Sequence, residues 1–337
     1  MLQTIWFILW GVLWAGYFIL DGFDLGVGSL YPFVAENEAE RQIVHGSILP
    51  YWDGNEVWLI SAGGVTFAAF PTTYAVMFSS LYAALMLVLF SLIIRGVSVD
   101  FRAKVETQNL RRWCDRGIFF GSLLPALLLG VAFANIFRGV PIDGEGIFHG
   151  TLLTLLNPYG LAGGALFVLL FSVHGSLWLT IKTEGEIQRR ASVLASKLWL
   201  ALLVVAVGFL GFSAFVTDLY LNYLSHPVLF AIPLVAVAAL LLTRLFIART
   251  NWWRAWTSSA VTIAFVTFFG LGGLFPNLFP SSLDPAYSLT AFNSSSSPLT
   301  LKIMLVVAGV MVPTVIGYQV WAYVFFKGKV KEGGEVY

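Results

Sequence analysis

The stretch that decides the fold is PYWDGNEVW, residues 50–58. It puts two carboxylates, Asp53 and Glu56, at the start of a run of apolar and small residues that continues to Pro71. A run of about 20 such residues is what a helix needs to cross the hydrocarbon core of a membrane. Because Asp53 and Glu56 are three positions apart, they share a face of the first helical turn. The stretch therefore predicts a membrane-spanning helix with acids at one end.

These acids have a structural and a functional explanation, and the sequence leaves both open. Carboxylates in a first turn are favoured by the helix dipole, and Asp53 could simply cap the helix. A second acidic pair, Asp21 and Asp24, lies near the far end of the preceding apolar segment. The four carboxylates are therefore expected to meet at one membrane face, where intramembrane acids usually mark a proton or ion path. Beside them, Gly22 and Gly26 have the spacing of close helix packing.

The composition is that of an integral membrane protein. Hydrophobic residues make up 58% of the chain, charged residues 11%, and the mean hydropathy is +0.83, whereas soluble domains carry about 25% charged residues. The net charge is +1 without a basic block, so nothing indicates nucleic-acid binding. The single cysteine, Cys114, excludes an intramolecular disulfide.

The apolar runs predict an all-α integral membrane protein with nine transmembrane helices. The predicted spans are 3–28, 51–70, 73–95, 117–137, 160–181, 197–217, 227–248, 257–278 and 301–326. The runs are apolar on every face, whereas the strands of a membrane barrel alternate over about ten residues.

The basic residues predict the orientation of these spans. Alternating the loops puts 17 lysines and arginines on one side and 2, Arg138 and Lys302, on the other. Because basic residues collect in cytoplasmic loops, the N-terminus is expected outside and the C-terminus in the cytoplasm. All four acids then lie at the cytoplasmic face.

Two further side chains within or at the end of predicted spans, His174 and Arg95, need an explanation. His174 is the one histidine within a predicted span, and haem b in a helical bundle usually needs two axial ligands at one depth. We therefore predict an interior histidine bonded to a neighbour, and no catalytic residue or metal ligand in this chain. Arg95, at the end of the third span, is predicted to form a structural ion pair with Asp100.

Several motifs together resemble subunit II of the cytochrome bd quinol oxidases. The motifs are DGFDLGVG (21–28), WDGNEVWLI (52–60), Arg95 with Asp100, WCDRGIF (113–119), GVAFAN (130–135), GVP (139–141) and LNPYGL (156–161). The resemblance runs from the first predicted helix to the ninth. It implies two four-helix bundles, over residues 1–138 and 139–280 with an outer loop at 139–159, followed by 281–337 with a further outer loop, a peripheral ninth helix and a cytoplasmic tail.

The resemblance also implies a function. The enzyme it points to oxidises quinol and reduces dioxygen to water in the bacterial cytoplasmic membrane, as a heterodimer with a subunit I that bears haem b, haem d and the quinol site. Small single-helix subunits, lipid and a structural quinone in this subunit are further expectations.

Site residues follow from the resemblance and from the acidic pattern together. Acids matching Asp21 and Asp53 carry protons from the cytoplasm, so we predict a proton pathway through Asp21, Asp24, Asp53 and Glu56. The tryptophan matching Trp58 lies near an oxygen passage.

One residue, Tyr51, departs from the family pattern. Tyr51 stands where relatives often carry histidine, so a titrating role at that position is in doubt.

The alternatives are a proton-coupled secondary transporter and a purely structural scaffold subunit. A transporter would place its acids near the membrane midplane on broken helices of paired repeats, a pattern this sequence does not show.

Overall fold

The computed structural model describes residues 1–330. Lys331 and the rest of the predicted cytoplasmic tail, 331–337, lie outside the described residues. The helices are α1 Leu2–Val34, α2 Glu38–Ile48, α3 Trp52–Ala69, α4 Pro71–Ser80, α5 Tyr82–Arg102, α6 Gln108–Arg138, α7 Leu152–Leu155, α8 Pro158–Lys182, α9 Gly185–Val216, α10 Leu219–Ser225, α11 Ala231–Ala248, α12 Trp252–Leu274 and α13 Pro298–Phe325. Two short strands, β1 Asn277–Phe279 and β2 Leu289–Thr290, pair antiparallel, and 3₁₀ turns cover Pro227–Phe230 and Pro285–Tyr287.

The predicted all-helical membrane fold is confirmed. Within residues 1–330, eight helices are long and apolar enough to cross a membrane. They are α1, α5, α6, α8, α9, the stretch Pro227–Ala248, α12 and α13. The predicted span 51–70 is helical as α3, but it is not one of the eight because its first turn is polar.

The predicted spans and the helices differ in their boundaries; α6 and α9, for example, begin at Gln108 and Gly185, before the predicted 117 and 197. The first predicted span ends at residue 28, but α1 continues to Val34. Roughly 20 Å of helix therefore follows Asp21, so its acids lie further from the helix end than expected. The third predicted span bends at Leu81, whose ψ of 13° separates α4 from α5.

Helix α2 was not predicted, because its residues are mostly polar. Its start is nevertheless encoded locally. The side chain of Asn37 accepts a hydrogen bond from the Glu40 N–H at 3.0 Å, while the Glu40 carboxylate accepts one from the Glu36 N–H at 2.7 Å. This reciprocal arrangement resembles a capping box. Arg190 of α9 pairs with Glu40 and Glu36 and fastens α2 to the helical body.

Helix α1 lies at the centre of the fold, packed against α3, α6, α8 and α12. Its contact with α8 is backbone to backbone at two glycines. A Cβ atom added at Gly26 would lie 1.8 Å from the Phe171 carbonyl oxygen, and one at Gly175 would lie 2.4 Å from the Val27 nitrogen. At Gly22 an added Cβ would instead meet the side-chain ring of Phe171, at 2.8 Å. The close packing predicted from Gly22 and Gly26 is confirmed.

Helix α13 is held by polar contacts at both ends. Within Pro298–Phe325, all of it described, Leu301 is the one buried residue. At one end the Trp6 indole donates to the Leu301 carbonyl at 3.0 Å. At the other, the buried Lys182 ammonium donates to the Tyr51 hydroxyl at 3.0 Å, and that hydroxyl donates to the Phe326 carbonyl at 2.6 Å. Tyr51 therefore helps to anchor the end of α13.

The outer loops are tied to each other by backbone hydrogen bonds. The Val140 N–H donates to the Pro280 carbonyl at 3.0 Å, and the Ser282 N–H donates to the Val140 carbonyl at 2.9 Å. Asp143 closes the first loop, since it lies 2.7 Å from Nε2 of His149. The hydrogen bond from His149 holds the pKa of Asp143 below its ordinary value.

Candidate functional site

A buried arginine joins three helices at the centre of the predicted site. The Arg95 side chain, on α5, is 2% exposed, and its Nη2 donates to Asp21 Oδ1 of α1 at 2.7 Å and to Glu56 Oε2 of α3 at 2.8 Å. Arg95 therefore pairs across helices, and not with Asp100 as the sequence suggested. Five residues correspond to about 140° around a helix, and Asp100 is exposed.

Asp24 lies beside this ion pair, and no lysine or arginine among residues 1–330 pairs with it. It is 1% exposed, and its Oδ2 accepts a hydrogen bond from Asn55 Nδ2 at 2.7 Å. Among the described residues, Asp24 Oδ1 and Asp21 Oδ2 have no hydrogen-bond partner. Asn55 was missed by the sequence analysis, although it stands in the same motif between Asp53 and Glu56.

Helix α13 completes the site with two side chains that were also missed. Asn55 Oδ1 accepts from Gln319 Nε2 at 2.9 Å and from the Tyr323 hydroxyl at 2.8 Å. Gln319 Oε1 in turn accepts from the Trp58 indole at 2.8 Å. Trp58 is 8% exposed, so this network is largely shielded within the chain. Gln319 and Tyr323 were missed because they are isolated polar residues in an apolar helix, where no regular spacing indicates a site.

Asp53 stands apart from the other three acids. It is exposed and lies within the first turn of α3, whose N-cap residue is Tyr51 and whose start has no side-chain capping hydrogen bond. The structure therefore brings together Asp21, Asp24 and Glu56 but leaves Asp53 at the surface. The capping explanation for Asp53 is not what the structure shows.

The cluster has the chemistry of a proton-handling site. Asp21 and Glu56 pair with the guanidinium of Arg95, while the carboxyl of Asp24 lies beside them and is bonded to Asn55. Burying an unpaired ionised carboxylate costs several kcal/mol, so the charge is balanced best when the cluster also holds protons. The hydroxyl of Tyr17 is buried and has no partner among the described residues.

His174 is bonded on both sides to the polypeptide. Its Nδ1 lies 3.1 Å from Ser259 Oγ and its Nε2 lies 3.2 Å from the Ile19 carbonyl, while the ring stacks on Trp256 at a centroid distance of 4.9 Å. The predicted interior histidine bonded to its neighbours is confirmed. Because both ring nitrogens are engaged, His174 does not fit the role of an axial haem ligand.

An apolar cavity of about 170 Å³ lies among α6, α8, α9, α11 and α12. Its walls include Phe133, Phe167, Leu170, Ala206 and Ile263. It is lined almost entirely by hydrocarbon, so it suits an apolar occupant.

Comparison with known proteins gives consistent matches over nearly the whole chain. Residues 2–326 match the family described as cytochrome bd terminal oxidase subunit II. The cytochrome bd ubiquinol oxidase subunit 2 of Bacillus subtilis is 38% identical over 331 residues, covering 98% of this chain and 97% of the relative. The cytochrome bd-I ubiquinol oxidase subunit 2 of Escherichia coli K12 is 38% identical over 354 residues, covering 96% and 93%.

The fold is shared with a chain of a solved oxidase structure. A chain of the bd oxidase from Geobacillus thermodenitrificans superposes with a TM-score of 0.76 at 18% identity, covering 97% of this chain and 99% of that one.

Proposed function

The chain belongs to the cytochrome bd terminal oxidase subunit II family, and we propose that it supplies protons to the oxygen-reducing centre of such an oxidase. As a subunit of a quinol oxidase complex, it pairs with a subunit I that carries haem b, haem d and the quinol site. The family assignment replaces the secondary-transporter alternative. Reducing dioxygen consumes protons, and taking them from the cytoplasm while quinol releases its own outside would separate charge without a pump.

The observation that carries this proposal is the buried cluster of Asp21, Asp24 and Glu56 around Arg95. Such a cluster is costly in a membrane, so it favours a functional role over a purely structural one. In our proposal, Asp53 accepts protons at the cytoplasmic surface and Glu56, three residues further along the same helix face, passes them inward. Asp24, whose carboxyl is bonded to Asn55, receives each proton and passes it on toward the oxygen-reducing centre.

The test is quinol oxidase turnover, normalised to haem d, in Asp24→Asn, Asp53→Asn and the double variant. Asparagine keeps the shape of aspartate but cannot change charge. If these acids relay protons, the variants should assemble with full haem while turnover falls, by about tenfold for each 1.4 kcal/mol added to the limiting barrier. Asp100→Asn is the matched control, since Asp100 is an exposed acid outside the cluster. Full turnover in the double variant would refute the proton relay and favour the purely structural scaffold subunit.

The proposed topology has nine spans with the N-terminus outside and the C-terminus cytoplasmic, in the bacterial inner membrane. It is supported by the distribution of basic residues and by α3, the helix over the predicted span 51–70. We further propose the bundles 1–138 and 139–280 and a separate region 281–337. A reporter active only outside should work when fused after His226 and fail after Lys331, and the reverse pattern would overturn this topology.

Two further roles are proposed on narrower grounds. We propose that Trp58, which is buried beside α1 and α13, lies near an oxygen passage, as the resemblance of its motif implies. The apolar cavity of about 170 Å³ suits the hydrocarbon tail of a structural quinone or a lipid. Filling the cavity with Ala206→Phe should lower the quinone and lipid that copurify with the complex, and unchanged content would remove the cavity from consideration. Small single-helix subunits would be identified in the same preparation.

A further inference from the structure

Three side chains on two helices form a directed chain of hydrogen bonds that ends at Asp24. The Trp58 indole donates to Gln319 Oε1, Gln319 Nε2 donates to Asn55 Oδ1, and Asn55 Nδ2 donates to Asp24 Oδ2. The three distances are 2.8, 2.9 and 2.7 Å.

The donor-to-acceptor direction of these hydrogen bonds is fixed by Trp58. An indole N–H can only donate a hydrogen bond, so Gln319 must turn its oxygen toward Trp58 and its NH₂ group toward Asn55. Asn55 must then present its oxygen to Gln319, which leaves its own NH₂ group facing Asp24. The Tyr323 hydroxyl reinforces this orientation, because it occupies the second lone pair of Asn55 Oδ1.

We propose that Trp58, Gln319 and Tyr323 are positioning residues that hold the Asn55 amide as a permanent hydrogen-bond donor to Asp24. A free amide could rotate and offer its oxygen to a protonated Asp24, which would help that carboxyl to keep its proton. A fixed donor favours the ionised form instead, so each proton that reaches Asp24 is released readily. This use of Asn55 rests on the proton relay proposed above, whereas its orientation rests on the geometry alone.

The experiment is infrared difference spectroscopy of the purified oxidase, combined with turnover at saturating dioxygen. Bands of Asp24, protonated or ionised, are those that disappear in Asp24→Asn. Gln319→Leu and Trp58→Phe should each shift these bands in the same direction and lower turnover by about three- to tenfold. Saturating dioxygen keeps any change in oxygen passage at Trp58 from affecting the rate.

Two comparisons sharpen the test. Because both changes cut the same chain, the Gln319→Leu/Trp58→Phe double variant should shift the bands no further than either single. Trp321→Phe and Tyr318→Phe are the matched controls, since both residues are exposed on the same helix, and they should leave the bands unchanged. Tyr323→Phe is a milder second variant should either larger change reduce assembly, which haem d content reports.

Each outcome decides one claim. Unshifted Asp24 bands in Gln319→Leu and Tyr323→Phe would overturn the positioning role, whatever happens to turnover. Full turnover in Asp24→Asn would instead remove the relay through Asp24, while the band shifts would still decide whether Asn55 is held in place.

Discussion

Replacing Gly26 with alanine tests whether α1 and α8 are held at backbone contact. The added Cβ would lie 1.8 Å from the Phe171 carbonyl oxygen, whereas ordinary contact begins at 3.4 Å. The helices would therefore have to separate by about 1.6 Å at this point, the difference between those two distances. No rotamer change can relieve the clash, because the obstructing atom belongs to the backbone.

The expected cost lies at the upper end of the range for overpacked cores, about 3 kcal/mol. Alanine also improves helix propensity by about 1 kcal/mol, so the variant needs a control with the same gain and no clash. Gly208→Ala in α9 provides it, since a Cβ at Gly208 meets no atom of residues 1–330 within 4 Å.

Thermal unfolding of the purified oxidase, followed by tryptophan fluorescence at one fixed scan rate, measures the difference. Gly26→Ala is expected to unfold at a clearly lower temperature than wild type, and Gly208→Ala at the same temperature or higher. Equal unfolding temperatures for the two variants would refute the reasoning about backbone contact.

Three other predictions follow from single contacts. His174→Ala should leave the haem content of the complex within about a factor of two, because both ring nitrogens are already bonded; complete loss of one haem signal in a pyridine haemochrome assay would contradict this. Arg95→Gln leaves buried carboxylates without their cation, at a cost of about 3–5 kcal/mol; the yield of assembled haem d complex should fall and recover in part when Asp21→Asn is added, and no recovery would count against the pairing. The depressed pKa of Asp143 means that its stabilisation of the outer loop is fully present above the pKa of an unfolded carboxyl and is lost as the pH falls through the depressed value. His149→Ala should move this loss to a higher pH in hydrogen exchange of the loop, where superimposable curves would show that the pair has no such role.

Most of the helices could be predicted because lipid leaves little choice. A segment that crosses hydrocarbon must be apolar on nearly every face, so runs such as 160–181 are visible without any tertiary information. Helix α2 was missed because it lies among polar residues and is stabilised by partners such as Arg190, which is distant in the sequence. The bend at Leu81 was missed because the sequence there is uniformly compatible with a helix.

The site could be predicted only where its residues cluster in the sequence. Asp21, Asp24 and Glu56 were identified because acids in apolar runs are rare. Arg95 was given the wrong partner because Asp100 is near it in sequence but on another face of the helix. Asn55, bonded to Gln319 at a separation of 264 positions, could not be linked to its partner because one amide in an apolar helix indicates no particular contact.

Because Gln319 and Tyr323 lie near the end of the sequence, they are synthesised long after the acids of the cluster. Asp21, Asp24, Asn55 and Trp58 belong to the first helices to be made, but Gln319 and Tyr323 are translated more than 260 positions after Asn55. Through most of translation, Asn55 is therefore free to turn either way beside Asp24. The acidic cluster takes its final form only when α13 docks, so arrested chains that lack α13 would contain all the acids yet leave the amide beside Asp24 unoriented.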